Sequence, residues 1–188
     1  MIKRVSLIIA LLALMLPMTA AWADEYQDTI KSFRKAGESG RFFQAAYGYA
    51  VFPTIGKGGV GIGGAYGEGH VYEKGKYIGN ASMTQLTIGF QLGGQAYSEM
   101  IFFRDQAALK DFTSGNFEFG AEASAVAITA AAGASASTTG SSAGASLQKQ
   151  QATNVGGYTK GMATFTIAKG GLMYAATIGG QKFKYTPR

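Results

Sequence analysis

The sequence predicts an α+β protein: a curved antiparallel β-sheet or barrel-like core, with helices at the N-terminus and one crossover helix. Three observations lead there. From Tyr49 onward the chain is mostly short runs of β-branched and aromatic residues separated by Gly-rich or polar turns. The 28 glycines are about double what ordinary usage gives, and glycine inside a strand marks a bend, a bulge or a close backbone approach. Helical spacing is confined to residues 24–47 and to a short stretch after Asp105.

Composition narrows the possibilities before any element is placed. A length of 188 residues fits one domain with a real core. Only 15% of the residues are charged, which argues against a coiled coil or a charged disordered tail. With no Cys there is no disulfide scaffold, thiolate zinc site or Cys nucleophile. A single His, His70, removes sites that need two or three histidines.

Residues 1–23, MIKRVSLIIALLALMLPMTAAWA, have the make-up of a secretory signal. Lys3 and Arg4 are followed by an apolar run from Val5 to Met18, short for a membrane span, and then by Ala21-Trp22-Ala23. Cleavage after Ala23 leaves a mature domain of residues 24–188. The expected location is the periplasm, the inner face of an outer membrane, or the exterior. Nicotinamide, ATP and nucleic acid are poor partners there, so no cofactor is expected.

In the mature chain Tyr26, Ile30 and Phe33 recur at helical spacing. Asp24, Glu25 and Asp28 fall in the expected first turn and Lys31, Arg34 and Lys35 in the last, as the helix dipole favours. Gly37 stops this helix, and Ser39 is placed to cap a second one over Gly40–Tyr47. Strands are expected at Tyr49–Pro53, with Pro53 ending the ladder, then at Val60–Tyr66, His70–Tyr72, Thr84–Tyr97 and Met100–Phe103. Asp105 caps a helix running through Phe112, and residues 116–130 and 159–185 are again strand-like.

Residues 120–147 stand apart. They include 11 Ala, 4 Gly, 6 Ser and 3 Thr, with no charge from Ala123 to Gln148. The front part alternates as a strand does, and 133–146 reads as a mobile loop. A small-residue helix that packs against another helix in a bilayer, or that drives self-association, is the alternative.

Charge is divided unevenly. Residues 24–122 carry nine basic and eleven acidic side chains, whereas 123–188 carry six basic ones (Lys149, Lys160, Lys169, Lys182, Lys184 and Arg188) and no acid. Such asymmetry favours an anionic partner, and phosphate-bearing lipid is the abundant anion of an envelope. The same lysines also serve as solubilising charges on strand edges.

Catalytic signals are weak. Gly59-Val-Gly-Ile-Gly-Gly64 matches a dinucleotide fingerprint literally, but the adjoining Ala65–Tyr72 reads as strand, and a pyrophosphate needs a helix N-terminus there. Glu68 and His70 share a strand face, and Glu68, Glu73 and Glu99 are the carboxylates available for hydrolysis, without a nucleophile elbow. No enzyme and no metal site are expected. Phe33, Phe42, Phe43, Phe52, Phe102 and Phe103 read as core. The line Tyr26, Ile30, Phe33, flanked by Lys31, Arg34 and Lys35, has two readings. It packs on the sheet, with the basic flank open to head groups, or it lies at a membrane with Ile30 and Phe33 as apolar contacts.

The run Ala46-Tyr-Gly-Tyr-Ala-Val-Phe-Pro53 followed by Gly56-Lys-Gly-Gly-Val-Gly-Ile-Gly-Gly-Ala-Tyr-Gly-Glu-Gly69 resembles the opening of the SYLF domain. Later stretches resemble it in the same order: Thr87–Gly94 with Glu99–Phe103, Ala108–Phe112 with Asn116–Ser124, and Lys169–Gly179. The resemblance implies a lipid-binding module. Eukaryotic members bind phosphoinositides through an amphipathic N-terminal helix and basic residues, and some bind actin beside SH3 or FYVE domains. This chain resembles a stand-alone, exported bacterial form without those domains, and Ala125–Ser146 departs from the family pattern. Carried onto matching positions, the lipid residues are Lys31, Arg34 and Lys35 on the helix and Lys57 and Lys169 at two Lys-Gly turns. The expected activity is non-catalytic docking on anionic lipid or a membrane surface. The competing readings are a self-associating envelope protein and a hydrolase built on Glu68, His70 or Glu99.

Overall fold

The computed structural model describes residues 18–89, 95–120, 123, 125–128, 157–169 and 178–188. Residues 1–17 of the expected signal and the expected loop 133–146 lie outside the described residues.

Helix α1 spans Met18–Lys35 and so begins before the acids expected to open it. The preceding Ala-rich residues are good helix formers. Asp24, Glu25 and Asp28 therefore sit inside the helix, and only Arg34 and Lys35 complement its dipole. The expected cleavage point after Ala23 falls within α1. At Ala36 the backbone turns extended, and two single-turn helices come next, α2 (Gly37–Gly40) and α3 (Phe42–Ala45). Ser39 is not the cap of a helix over 40–47. It lies inside α2, fully buried, and donates its hydroxyl to the Phe33 carbonyl at 2.5 Å, satisfying an orphan acceptor at the end of α1.

The remaining elements are β1 (Gly48–Glu73), β2 (Lys76–Gly89), β3 (Gln95–Phe103), α4 (Gln106–Phe112), β4 (Phe117–Glu118), β5 (Val126–Ile128), β6 (Met162–Lys169) and β7 (Gln181–Pro187). One curled sheet holds all the strands in the order β4-β7-β2-β1-β3-β6-β5. Every pairing is antiparallel except β5 with β6, which is parallel. The architecture is the α+β half-barrel that the alternating, glycine-punctuated sequence calls for.

Strand β1 explains why several expected boundaries shift. Extended, its 26 residues would reach roughly 85 Å, far more than a domain of this size can hold. Instead β1 doubles back. Its first arm pairs with β3 from Gly48 to Lys57, and its second arm pairs with β2 from Gly61 to Glu73. The arms lie against one another: a Cβ on Gly48 would meet the Tyr72 carbonyl at 2.5 Å, and one on Gly69 would meet the Val51 carbonyl at 2.8 Å. The bend falls near Gly59, whose φ of +148° suits glycine and whose Cβ would strike Gly63. Pro53 does not end the ladder. It occupies a register shift between Phe52 and Ile55, where its missing N–H costs no sheet bond, and its carbonyl accepts from Ser98 Oγ at 2.6 Å. The expected strands at 60–66 and 70–72 are both parts of the second arm. The expected strand 84–97 is two strands, because β2 and β3 serve different arms of β1.

Two apolar layers hold the sheet. On its outer face Tyr26, Ile30 and Phe33 of α1 and Phe42 of α3 pack on Val51, Tyr72, Met100, Phe102 and Phe165. On its inner face Leu109 and Phe112 of α4 join Phe52, Phe103, Phe119 and Phe183. Asp105 caps α4 as expected, its Oδ1 accepting from the Ala108 N–H at 3.0 Å. Strand β3 is buried from Tyr97 to Phe103, as a strand covered on both faces must be.

Candidate functional site

The expected lipid residues fall into two groups at opposite ends of the sheet. Lys31, Arg34 and Lys35 mark one end. Lys31 Nζ pairs with Asp28 Oδ1 at 2.9 Å, and both side chains are largely exposed. The Arg34 guanidinium lies 4.9 Å from the centre of the Phe43 ring, which itself contacts Tyr49 near the start of β1. Lys35 is exposed.

Ile30 and Phe33 do not supply apolar membrane contacts. They are 5% and 0% exposed, sealed between α1 and the sheet. The spacing that places them on one helical face equally serves core packing, and burying each side chain contributes about 2 kcal/mol.

Lys57 and Lys169 mark the other end. Gly56 pairs with Ala96, and Ala96 with Lys169, so the two lysines stand in neighbouring rows of the sheet; Lys57 lies within β1 rather than in a turn and faces inward beyond Ile55, while Lys169 ends β6 on the outer face. Lys169 Nζ pairs with Glu25 Oε1 at 3.1 Å and contacts Thr54 Oγ1 at 2.5 Å. Thr54 donates to the same Glu25 oxygen at 2.8 Å. That hydroxyl, together with Lys169, holds the Glu25 carboxyl below its usual range. The cleft beside this cluster, about 470 Å³, has Glu25 and Asp28 on its wall, which makes it a poor phosphate pocket. Lys57 differs. It is partly buried, burial alone depresses its ammonium, and no ion-pair partner for it occurs among the described residues. From Tyr49 to Lys57 the first arm of β1 runs roughly 25 Å, which separates the two groups.

The carboxylates and histidine considered for hydrolysis do not converge. The Glu68 carboxylate accepts from Tyr66 on the outer face, at 2.8 Å. His70, also outward, stacks on Tyr26 with centroids 3.5 Å apart and rings 1° from parallel, and Tyr77 lies 4.7 Å away. Burial lowers its pKa, so the ring stays neutral at physiological pH. Glu99 points into the inner layer with Tyr97 and Ile101, fully buried. Gln181 donates to Glu99 Oε2 at 3.0 Å and to the Tyr97 hydroxyl at 3.2 Å. Desolvation lifts the Glu99 pKa to about 8, which keeps the carboxyl protonated at neutral pH. A sheet separates this acid from His70. Glu73 accepts from the Tyr47 hydroxyl at 2.6 Å.

Sequence reasoning missed two features. One is the Glu99–Gln181–Tyr97 cluster, signalled only by an acid within the apolar run Tyr97–Phe103. The other is an exposed apolar group on the β1–β2 ribbon: Ile62 is 75% exposed, Leu86 83% and Tyr66 52%. The expected strand over Val60–Tyr66 gave no sign that nothing described packs on these side chains.

A protein-family model, Ysc84, described as "Las17-binding protein actin regulator", matches residues 84–184, more than half of the chain. The match runs from within β2 into β7 and leaves α1 and β1 outside it. No curated protein matches the chain. The curled sheet, the crossover helix and this match, together with the SYLF-like motifs running through β1, lead to one assignment: the chain belongs to the Ysc84, or SYLF, family.

Proposed function

We propose that this protein is an exported, non-catalytic lipid-binding domain that docks on anionic, phosphate-bearing lipid or membrane. Family membership is the observation that carries lipid binding. The anionic preference rests on charge: a C-terminal third with six basic residues and no acid, and a partly buried Lys57 without a counter-charge among the described residues. Each lysine near an anionic surface contributes about 1 kcal/mol, so three or four give reversible attachment. The basic start and apolar run of residues 1–18, ending at Ala21-Trp22-Ala23, support export to the periplasm or beyond.

The chemistry is electrostatic attraction, with no bond made or broken. Lys57 gains most from a phosphate, because its burial is otherwise uncompensated. Lys169 must exchange Glu25 for the phosphate, and Lys31 must exchange Asp28. Lys35 and the exposed edge of Arg34 are open to solvent at the far end of α1. Co-sedimentation with vesicles tests the reading. Binding of the purified protein should rise with phosphatidylglycerol content and fall as salt rises from 50 to 500 mM. Equal pelleting with pure phosphatidylcholine vesicles would overturn the charge mechanism. Replacing Lys57 by Gln should weaken binding more than replacing Lys169.

A further inference from the structure

The exposed end of the β1–β2 ribbon has the make-up of a membrane-inserting tip. Gly61 pairs with Gly89, Ile62 with Ile88, Gly64 with Leu86, and Tyr66 with Thr84. Directly opposed residues share a sheet face, so Ile62, Leu86 and Tyr66 all project outward. The residue opposite Leu86 is Gly64, which has no side chain to screen it.

Charge is missing from this end of the molecule. Residues 58–67 and 77–98 contain no Asp, Glu, Lys or Arg. Soluble sheets ordinarily blunt such ends with charged side chains. The charges bordering it are of both signs. Lys182 and Lys184 lie on the outer face of β7 in the rows of Thr84 and Ser82, whereas Lys57, just before the bend, shares the inner face with Ile55 and Tyr97. Two acids are nearby: Glu118 pairs with Lys182 at 3.6 Å, and Glu68 lies one row behind Tyr66, accepting its hydroxyl. Neither lies within the uncharged segments.

From this arrangement we infer that Ile62 and Leu86 enter the acyl region of an anionic bilayer, while Tyr66 sits at its boundary and Lys182 and Lys184 meet phosphates. Tyr suits a position with one end apolar and the other wet. A second copy of this chain fits less well, because a two-fold contact would bring the same lysines together, whereas lipid phosphates neutralise them. The inference rests on the lipid-binding function proposed above. It assigns the apolar contact to the sheet end in place of Ile30 and Phe33.

The test uses the purified protein and vesicles of equimolar phosphatidylglycerol and phosphatidylcholine. The double variant Ile62→Ser, Leu86→Ser should partition at least tenfold more weakly, with an unchanged thermal midpoint. In a Trp22→Phe background, which removes the one native tryptophan, Leu86→Trp should shift to the blue and be quenched by brominated acyl chains, whereas Lys110→Trp should not. Wild-type binding with neither the tenfold loss nor the quenching overturns the insertion and leaves the proposed function standing. Absence of wild-type binding overturns both. Two other results overturn it in favour of another occupant. Loss of a dimer in the double variant, with vesicle binding intact, would assign the tip to a second copy. A lowered thermal midpoint, with vesicle binding intact, would assign it to a segment of the chain's own.

Discussion

The outer face of the sheet is one alternating surface with two fates. Beneath α1 its side chains are sealed: Val51, Met100, Phe102 and Phe165 are 0% exposed. Past the helix, the same face carries Ile62 at 75% and Leu86 at 83%. Local sequence does not distinguish them, since both ends are apolar residues in a strand. The difference lies in the cover: α1 lies along the first arm of β1, where Glu25 reaches Thr54 and Lys169. Exposure of apolar residues at one end is thus a consequence of where a helix stops, and such patches mark contact surfaces.

The largest expected effect contrasts the two ends. Phe33→Ala should destabilise the fold by about 3–5 kcal/mol, the cost of a cavity in a sealed layer, while Leu86→Ala should change stability by less than about 0.5 kcal/mol. Urea unfolding of both variants measures the contrast, and equal losses would mean that the distal end is covered too.

Next in size is the inner face, where burial acts on a titrating group. The Glu99 carboxyl holds its proton up to about pH 8, against an ordinary value of 4.5. In this window the folded chain binds the proton that the unfolded chain releases, so the contribution of Glu99 is fully present below pH 4.5. It is lost as pH rises toward 8. The loss is on the order of 5 kcal/mol. Glu99→Gln, which stays neutral, should flatten that slope and be the more stable protein at pH 8. A variant with the slope of the wild type would show that Glu99 is not the buried acid.

A smaller effect concerns what ends α1. Ser39→Ala leaves the buried Phe33 carbonyl without its donor and should cost about 1–2 kcal/mol. Hydrogen exchange should then quicken in the last turn of α1 and not in β2. The smallest effect lies at the boundary between the two ends. Lys169→Gln removes an exposed ion pair to Glu25 and should cost no more than about 0.5 kcal/mol, vanishing at high salt.

Much of the fold was legible locally. The stripe of Tyr26, Ile30 and Phe33 and the Asp105 cap come from side-chain periodicity and capping chemistry, which act within a few residues. The sites were less legible. Lys31, Arg34 and Lys35 were visible as a basic cluster on one helix, but Lys57 and Lys169 come to one end of the sheet, on opposite faces, only because β1, β3 and β6 line up Gly56, Ala96 and Lys169. The partner of Lys169 is 144 residues away, a pairing to which no local pattern points.

The α+β class, the strands, the helical face and the basic C-terminal third are properties of short stretches, set by backbone preference, hydrophobic period and charge count. Three matters waited for the folded chain: that β1 turns back on itself, that Glu99 loses its solvent and keeps its proton, and that α1 covers Phe102 while leaving Leu86 bare. Each depends on which distant segments meet, because burial is a property of neighbours and sequence spacing specifies only those nearby.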